Sequence, residues 1–210
     1  MELREVKPAD IEKESFRIIR AELKEMGKVI PAENEHTVVR VIHTTADFEY
    51  ADTLMFSDGA VAKAKAAIRN GAHIVTDTNM AMAGINKRAL SVYGGEVHCF
   101  MADEDVAAEA KKREVTRAFV SMEKAAEIDK PLIFAIGNAP TALASLYELI
   151  SEKSYKPEMI IGVPVGFVNV VEAKELIEKL DVPYIINRGR KGGSTVAAAI
   201  CNSILYTMED

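Results

Sequence analysis

The residues of this chain best suited to chemistry are a single histidine with a cation near it and one basic, glycine-rich turn. His43 stands in Arg40-Val41-Ile42-His43-Thr44-Thr45-Ala46-Asp47. An imidazole titrates near pH ~6.5 and so exchanges protons at neutral pH, and a guanidinium on the same helical face opposes imidazolium formation and makes it a readier donor. Arg188-Gly189-Arg190-Lys191-Gly192-Gly193-Ser194 sets three cations and three glycines ahead of an expected helix. Charge, accessible N–H groups and helix dipole then combine into a site for phosphates or carboxylates. Taken alone, a lone histidine also suits a surface or core position, and a basic turn also suits plain solvation. The turn lacks the GxxxxGK[ST] order of a nucleotide loop, and no GxGxxG follows the first strand, which weighs against dinucleotide chemistry.

The elements that must position these groups are clearest in the second half, where short apolar runs alternate with amphipathic helices. That pattern builds a parallel sheet covered on both faces. Five strands are expected, at His73–Thr76, Val97–Met101, Leu132–Ile136, Met159–Gly162 and Pro183–Ile186. Between the last three, Leu143, Leu146, Tyr147 and Ile150, and then Ala173, Leu176, Ile177 and Leu180, recur at helical spacing, as right-handed crossovers require. A further helix is expected over 59–70, with Ser57 or Asp58 as N-cap and Gly71 as stop, and a last one from Ser194. Ligands of open parallel sheets bind beyond the carboxyl ends of the strands. Three unusual loops stand there: Gly137-Asn138-Ala139-Pro140-Thr141, Gly162-Val163-Pro164-Val165-Gly166-Phe167-Val168, and the basic turn.

The first fifty residues give conflicting signals. Phe16, Ile19, Leu23 and Met26 fit a helix, whereas the β-branched Val38, Val39, Val41 and Ile42 suit a strand. On a strand Arg40 and His43 point to opposite faces; on a helix they share one. A helix from about Glu33 is therefore the reading adopted.

The bulk composition narrows the classes. At 210 residues, 49% apolar and 28% charged, the chain fits one soluble domain over 1–210, with no repeat, low-complexity tract or linker to divide it. A net charge of -6 argues against broad binding to nucleic acid or anionic membranes. No apolar run is long enough to span a membrane, and the charged start is unlike a secretory leader, so a cytoplasmic location is expected. Cys99 and Cys201 lie in apolar stretches and read as buried thiols, and His36, His43, His73 and His98 show no local zinc spacing, leaving only a spatial cluster open.

The chain resembles the precorrin-8X methylmutases, which are cobalt-precorrin-8 methylmutases in the cobalt-early pathway. Ser15-Phe16 with Ile18-Ile19, and the run Arg40 to Phe48, resemble the family's two N-terminal blocks. Thr76-Asp77-Thr78, Met80, Gly84-Ile85-Asn86-Lys87-Arg88 and Gly94-Gly95-Glu96 resemble its central block, and the three rim loops resemble those of the family. Together these blocks span residues 15 to 205. The chain departs from the pattern at Asn169 and Ala173.

The resemblance implies a flavodoxin-like, doubly wound α/β/α fold with a parallel five-stranded sheet and N-terminal helices, and a homodimer. It implies an intramolecular isomerase of corrin-ring biosynthesis that migrates a methyl group between adjacent carbons of ring C. His43 is the implied proton donor and acceptor, Ser15, Arg40 and Arg117 the implied substrate contacts, and no external cofactor or protein metal is implied, any cobalt arriving inside the substrate. Arg188, Arg190 and Lys191, with the Gly192 and Gly193 backbone, are the chemical candidates for holding the carboxylates at the macrocycle's edge. The His43-Thr44-Thr45-Ala46-Asp47 and Gly84–Arg88 blocks look more like cobalt-early enzymes, with cobalt-precorrin-8 as substrate and cobyrinic acid as product. Two other classes share some features: a non-catalytic tetrapyrrole carrier, indifferent to His43, and a sugar-phosphate isomerase, whose basic turn phosphate would compete for.

Overall fold

The computed structural model describes Lys7 and residues 10–209; the charged opening residues 1–6 and 8–9, read above as unlike a secretory leader, lie outside it. The chain begins with α1 (Ile11–Glu25), α2 (Ala32–Thr45) and the short α3 (Tyr50–Thr53), then β1 (Leu54–Phe56) and α4 (Ala60–Arg69). Next come β2 (His73–Thr76), α5 (Asn79–Gly84), α6 (Lys87–Ser91), β3 (Val97–His98), α7 (Glu104–Arg113) and α8 (Arg117–Ala125). The rest alternates strictly: β4 (Leu132–Ile136), α9 (Pro140–Lys153), β5 (Met159–Gly162), α10 (Val170–Glu178), β6 (Tyr184–Asn187) and α11 (Ser194–Leu205).

The sheet runs β1-β6-β5-β4-β2-β3, parallel throughout except for β1, which is antiparallel to β6. Numbered among themselves, the five parallel strands follow the doubly wound order 2-1-3-4-5, whose direction reverses between β2 and β4. Ile133, Ala135 and Ile161 pack toward α1, α2, α4 and α11, while Leu132, Phe134, Ile136 and Ile160 pack toward α8, α9 and α10. Both faces are thus covered, which is why the inner strands are apolar at nearly every position instead of alternating. No helix among the described residues is long and apolar enough to cross a membrane.

Three sequence expectations need correction. The sheet has six strands, because Leu54–Phe56 pairs with Ile185–Asn187; three residues are too few to show a period of two. The strand expected over Val97–Met101 ends at His98. The N-cap of α4 is Gly59, left-handed at φ 61°, and neither Ser57 nor Asp58 caps it. The Ser57 hydroxyl instead accepts the Tyr184 N–H at 2.9 Å and so closes the β1–β6 pairing.

The N-terminal conflict resolves as a helix, beginning at Ala32. Residues 37–42 are all buried because α1, α3, α4 and α11 surround α2. Burying each Val or Ile contributes about 1.5–3 kcal/mol, against a helix-propensity penalty of ~0.5 kcal/mol, so packing overrides the β-branched preference. Acidic Glu33 and Glu35 stand in the first turn, where the helix dipole favours them.

Candidate functional site

The topological reversal between β2 and β4 is where an open α/β sheet leaves a crevice, and Asp77 fills its floor. This aspartate follows β2 directly, is fully buried, and accepts backbone N–H bonds from Gly137 (2.9 Å), Asn138 (2.8 Å) and Ala139 (2.6 Å). Burial pushes its carboxyl up while the three donors pull it down, with burial the larger. One side chain thereby shapes the loop after β4. Next door, Thr78 caps α5 through the Ala81 N–H (3.0 Å) and meets the Ser194 hydroxyl at 2.8 Å, which joins the β2 loop to the start of α11.

The other two rim loops are built against this one. Gly137 has to be glycine, since a Cβ there would lie 2.7 Å from Ser194 Cα. Gly192, at φ 155°, would bring a Cβ within 2.1 Å of the Val163 carbonyl oxygen. The Gly193 N–H is donated to that same oxygen at 2.9 Å, so this amide is already engaged within the fold. From beneath, the fully buried Lys174 of α10 donates to the carbonyls of Gly189 (2.8 Å) and Lys191 (2.9 Å), and burial pulls its ammonium down to about 8. The basic turn is therefore held by backbone carbonyls pointing inward, which leaves its side chains on the outside.

Those side chains differ in what they meet. Arg188 is clamped by Glu178 through two contacts of 3.0 Å, and Lys191 reaches Asp47 at 2.5 Å and Glu49 at 2.8 Å. The Lys191 contacts tie the basic turn to the segment that follows α2. Arg190 lies over the Phe167 ring, 5.4 Å from its centre. Arg117 opens α8 and lines a pocket of about 700 Å³ with Asn138, Thr141, Val168, Asn169 and Glu172. Of these four cations, Arg117 and Arg190 have no carboxylate partner among the described residues. Beside them Phe167 is 82% and Val168 77% exposed, large apolar side chains open to solvent at the rim.

A second group assembles on α1 and α2. The Arg40 guanidinium is buried between two rings, 5.0 Å from Phe16 and 4.8 Å from Tyr206, and binds both carboxylate oxygens of Glu12 at 2.9 and 3.2 Å. That bond holds the Glu12 carboxyl below its usual range. Arg40's charge, which the sequence sets against imidazolium formation at His43, is thus met by Glu12. One turn along, His43 is exposed, with Phe16 edge-on at 5.3 Å. Ser15, half-buried on α1, donates its hydroxyl to the Ile11 carbonyl at 2.9 Å. A smaller hollow of about 230 Å³, lined by Arg40, Thr44, Met80, Gly84 and Thr195, links this group toward the start of α11.

The expected residues therefore form two neighbourhoods. Ser15, Arg40 and His43 belong to the α1–α2 layer, whereas Arg117 belongs to the α8–α9–α10 layer on the other face of the sheet; the basic turn stands between them at the rim. Sequence reasoning passed over Glu12 and Lys174, and quoted Asp77 only within the Thr76-Asp77-Thr78 block without a role. Only Asp77 carried a signal, since a carboxylate at the end of a parallel strand stands where such sheets place their sites.

Known proteins match this arrangement along nearly its whole length. The family model described as precorrin-8X methylmutase matches residues 10–207. A cobalt-precorrin-8 methylmutase of Priestia megaterium is 46% identical over 200 residues, covering 95% of this chain and 88% of that one. A precorrin-8X methylmutase of Pseudomonas aeruginosa is 41% identical, covering 95% of each. The solved structure of the Thermus thermophilus precorrin-8X methylmutase superposes with a TM-score of 0.85 at 38% identity, covering 96% of this chain and 98% of that one. The chain belongs to the precorrin-8X methylmutase family, isomerases of cobalamin biosynthesis that transfer a methyl group within a single molecule.

Proposed function

We propose that this methylmutase acts on cobalt-precorrin-8, with His43 as the group that exchanges a proton with the macrocycle. The observation that carries the reading is the position of His43: exposed, on a helix whose buried face is rigidly packed, and backed by Phe16 and the Glu12–Arg40 pair. A proton carrier needs access to substrate and a fixed base, and this side chain has both. The reaction breaks one carbon–methyl bond on ring C and forms another at the adjacent carbon, so composition is unchanged and His43 recovers the proton it lends. An intramolecular shift asks the protein to hold the ring and favour one protonation state, and it requires no cofactor of the protein's own.

Binding divides between the two neighbourhoods. Arg117 and Arg190, free of carboxylate partners among the described residues, are the cations ready to take the macrocycle's carboxylates, while Arg188 and Lys191 must exchange an existing partner to do so. Ser15, Arg40 and the Gly192–Gly193 turn are the remaining assigned contacts, of which Arg40 must likewise exchange Glu12 and the Gly193 N–H its bond to Val163. We read the protein as a cytoplasmic homodimer, and the exposed Phe167, Val168 and Met80 support this by offering apolar surface for a second copy or the ring. Sedimentation equilibrium at micromolar concentration is expected to give twice the chain mass; a monomer contradicts the dimer.

The cobalt branch is favoured by the Priestia megaterium relative's higher identity than that of the Pseudomonas aeruginosa one. Anaerobic initial rates, followed by absorption with cobalt-precorrin-8 and with metal-free precorrin-8X, test it. Faster conversion of the cobalt substrate is expected; a faster metal-free reaction reverses the assignment.

A further inference from the structure

Away from the rim, the β2–β3 edge of the sheet brings together three metal-ligating side chains that no step of the methyl transfer uses. β2 and β3 are parallel with Ile74 opposite Val97 and Val75 opposite His98. His73 thus stands beside Glu96, and His98 projects from the same face of β3 as Glu96, two residues on. The His73 Nδ1 and His98 Nε2 atoms are 2.8 Å apart, the rings nearly parallel at 9° with centres 5.1 Å apart. One ligand atom from each of His73, Glu96 and His98 lies within 4.8 Å of the others.

We propose that His73, Glu96 and His98 form a binding site for a borderline divalent transition-metal ion, of the class of Zn²⁺, Co²⁺ and Ni²⁺. Two nitrogens bound to one such ion at about 2.0–2.1 Å stand about 2.9–3.4 Å apart for bond angles between the octahedral and tetrahedral values, so the pair is already within a few tenths of an ångström of a chelating separation. Two imidazoles and a carboxylate are a donor set matched to these ions and poorly matched to Ca²⁺ or Mg²⁺, which prefer all-oxygen shells. Without metal, an N–H of one imidazole is donated to the lone pair of the other across this distance. Binding a cation then needs only a tautomer shift in the donor ring, with water in the remaining positions.

The placement gives the ion a use. β3 is two residues long, forms the open edge of the sheet and pairs with β2 alone, so a bridge from His98 to His73 staples it. The Glu96 carboxylate is exposed and can swing in, while Lys130, which acts electrostatically on His73, opposes the cation and keeps the site from being very tight. His73 is 8% exposed, so the ion enters from the solvent side, past Glu96 and His98.

The experiment is titration of the purified full chain with Co²⁺ alone, read by its d–d absorption, with Zn²⁺ competition by calorimetry, for wild type, His98→Ala, Glu96→Gln and Cys99→Ser. One ion per chain is expected. His98→Ala should weaken binding about a hundred-fold and Glu96→Gln about ten-fold, magnitudes typical of losing ligands and their support. Cys99→Ser should leave the spectrum unchanged, since the neighbouring thiol is not one of the three clustered ligands. Circular dichroism confirms that each variant is folded. Absence of saturable binding, or binding by folded His98→Ala or Glu96→Gln equal to wild type, overturns the site and leaves the histidine pair as a hydrogen bond alone.

Discussion

At the scale of single residues, the protein uses charge in two ways. Arg40 holds its guanidinium inside the fold, between Phe16 and Tyr206 and forked onto Glu12. A lysine there keeps the charge but loses the guanidinium's reach to both rings and the bidentate geometry. Arg40→Lys is therefore expected to lower stability by about 1–2 kcal/mol in urea denaturation and to raise KM more than it lowers kcat. Lys174 carries a buried ammonium whose titration falls from about 10.5 in the unfolded chain to about 8 in the folded one. Between those values the unfolded chain holds a proton that the folded chain has released, so this group's contribution to stability rises with pH and is lost again as pH falls through 8. The carbonyls of Gly189 and Lys191 favour the charged form and reduce the effect. Stability measured from pH 7.5 to 9.5 should rise on the order of 1 kcal/mol more in wild type than in Lys174→Met; equal slopes would show that the ammonium is not desolvated.

At the scale of elements, the rim is three loops locked by a few groups that belong to other elements. Asp77 is the clearest case, because one carboxylate satisfies three backbone donors of the loop after β4. In Asp77→Asn the amide nitrogen must face an N–H, donor against donor, at a cost of about 1–3 kcal/mol. A urea midpoint lowered by that amount, with weaker substrate binding as the Asn138 side of the pocket loosens, is the expected outcome; an unchanged midpoint would show that the loop holds itself. This dependence on distant partners explains what could be read beforehand. The rim loops announce themselves through glycine, Pro140 and clustered charge, and α9 and α10 through their apolar spacing, all signals local to the chain. Asp77 meets its partners 60 to 62 residues away, and Lys174 looks like an exposed helix lysine until the basic turn folds over it. Likewise, His73 and His98 become neighbours only because β2 pairs with β3.

At the scale of the molecule, the doubly wound sheet holds His43 in one helical layer and an arginine-bearing pocket in the other, with the basic turn at the rim between them. The parallel polarity of five strands follows from the alternation of apolar runs and helices and their flavodoxin-like order from the family resemblance, whereas the antiparallel β1 is too short to declare itself. The layered arrangement suits the proposed broad, carboxylate-edged ring better than a small metabolite, because the exposed histidine and the arginine-bearing pocket stand on different elements. The most direct test is the absorption spectrum of cobalt-precorrin-8 incubated anaerobically with wild type and with His43→Ala. His43 is exposed, so its loss should leave folding intact. Wild type is expected to convert the spectrum to that of cobyrinic acid, and His43→Ala to bind the substrate but turn it over about a hundred- to ten-thousand-fold more slowly. Equal rates in the two proteins would contradict His43 as the proton carrier, and binding without conversion by either would mean that the substrate assignment is wrong.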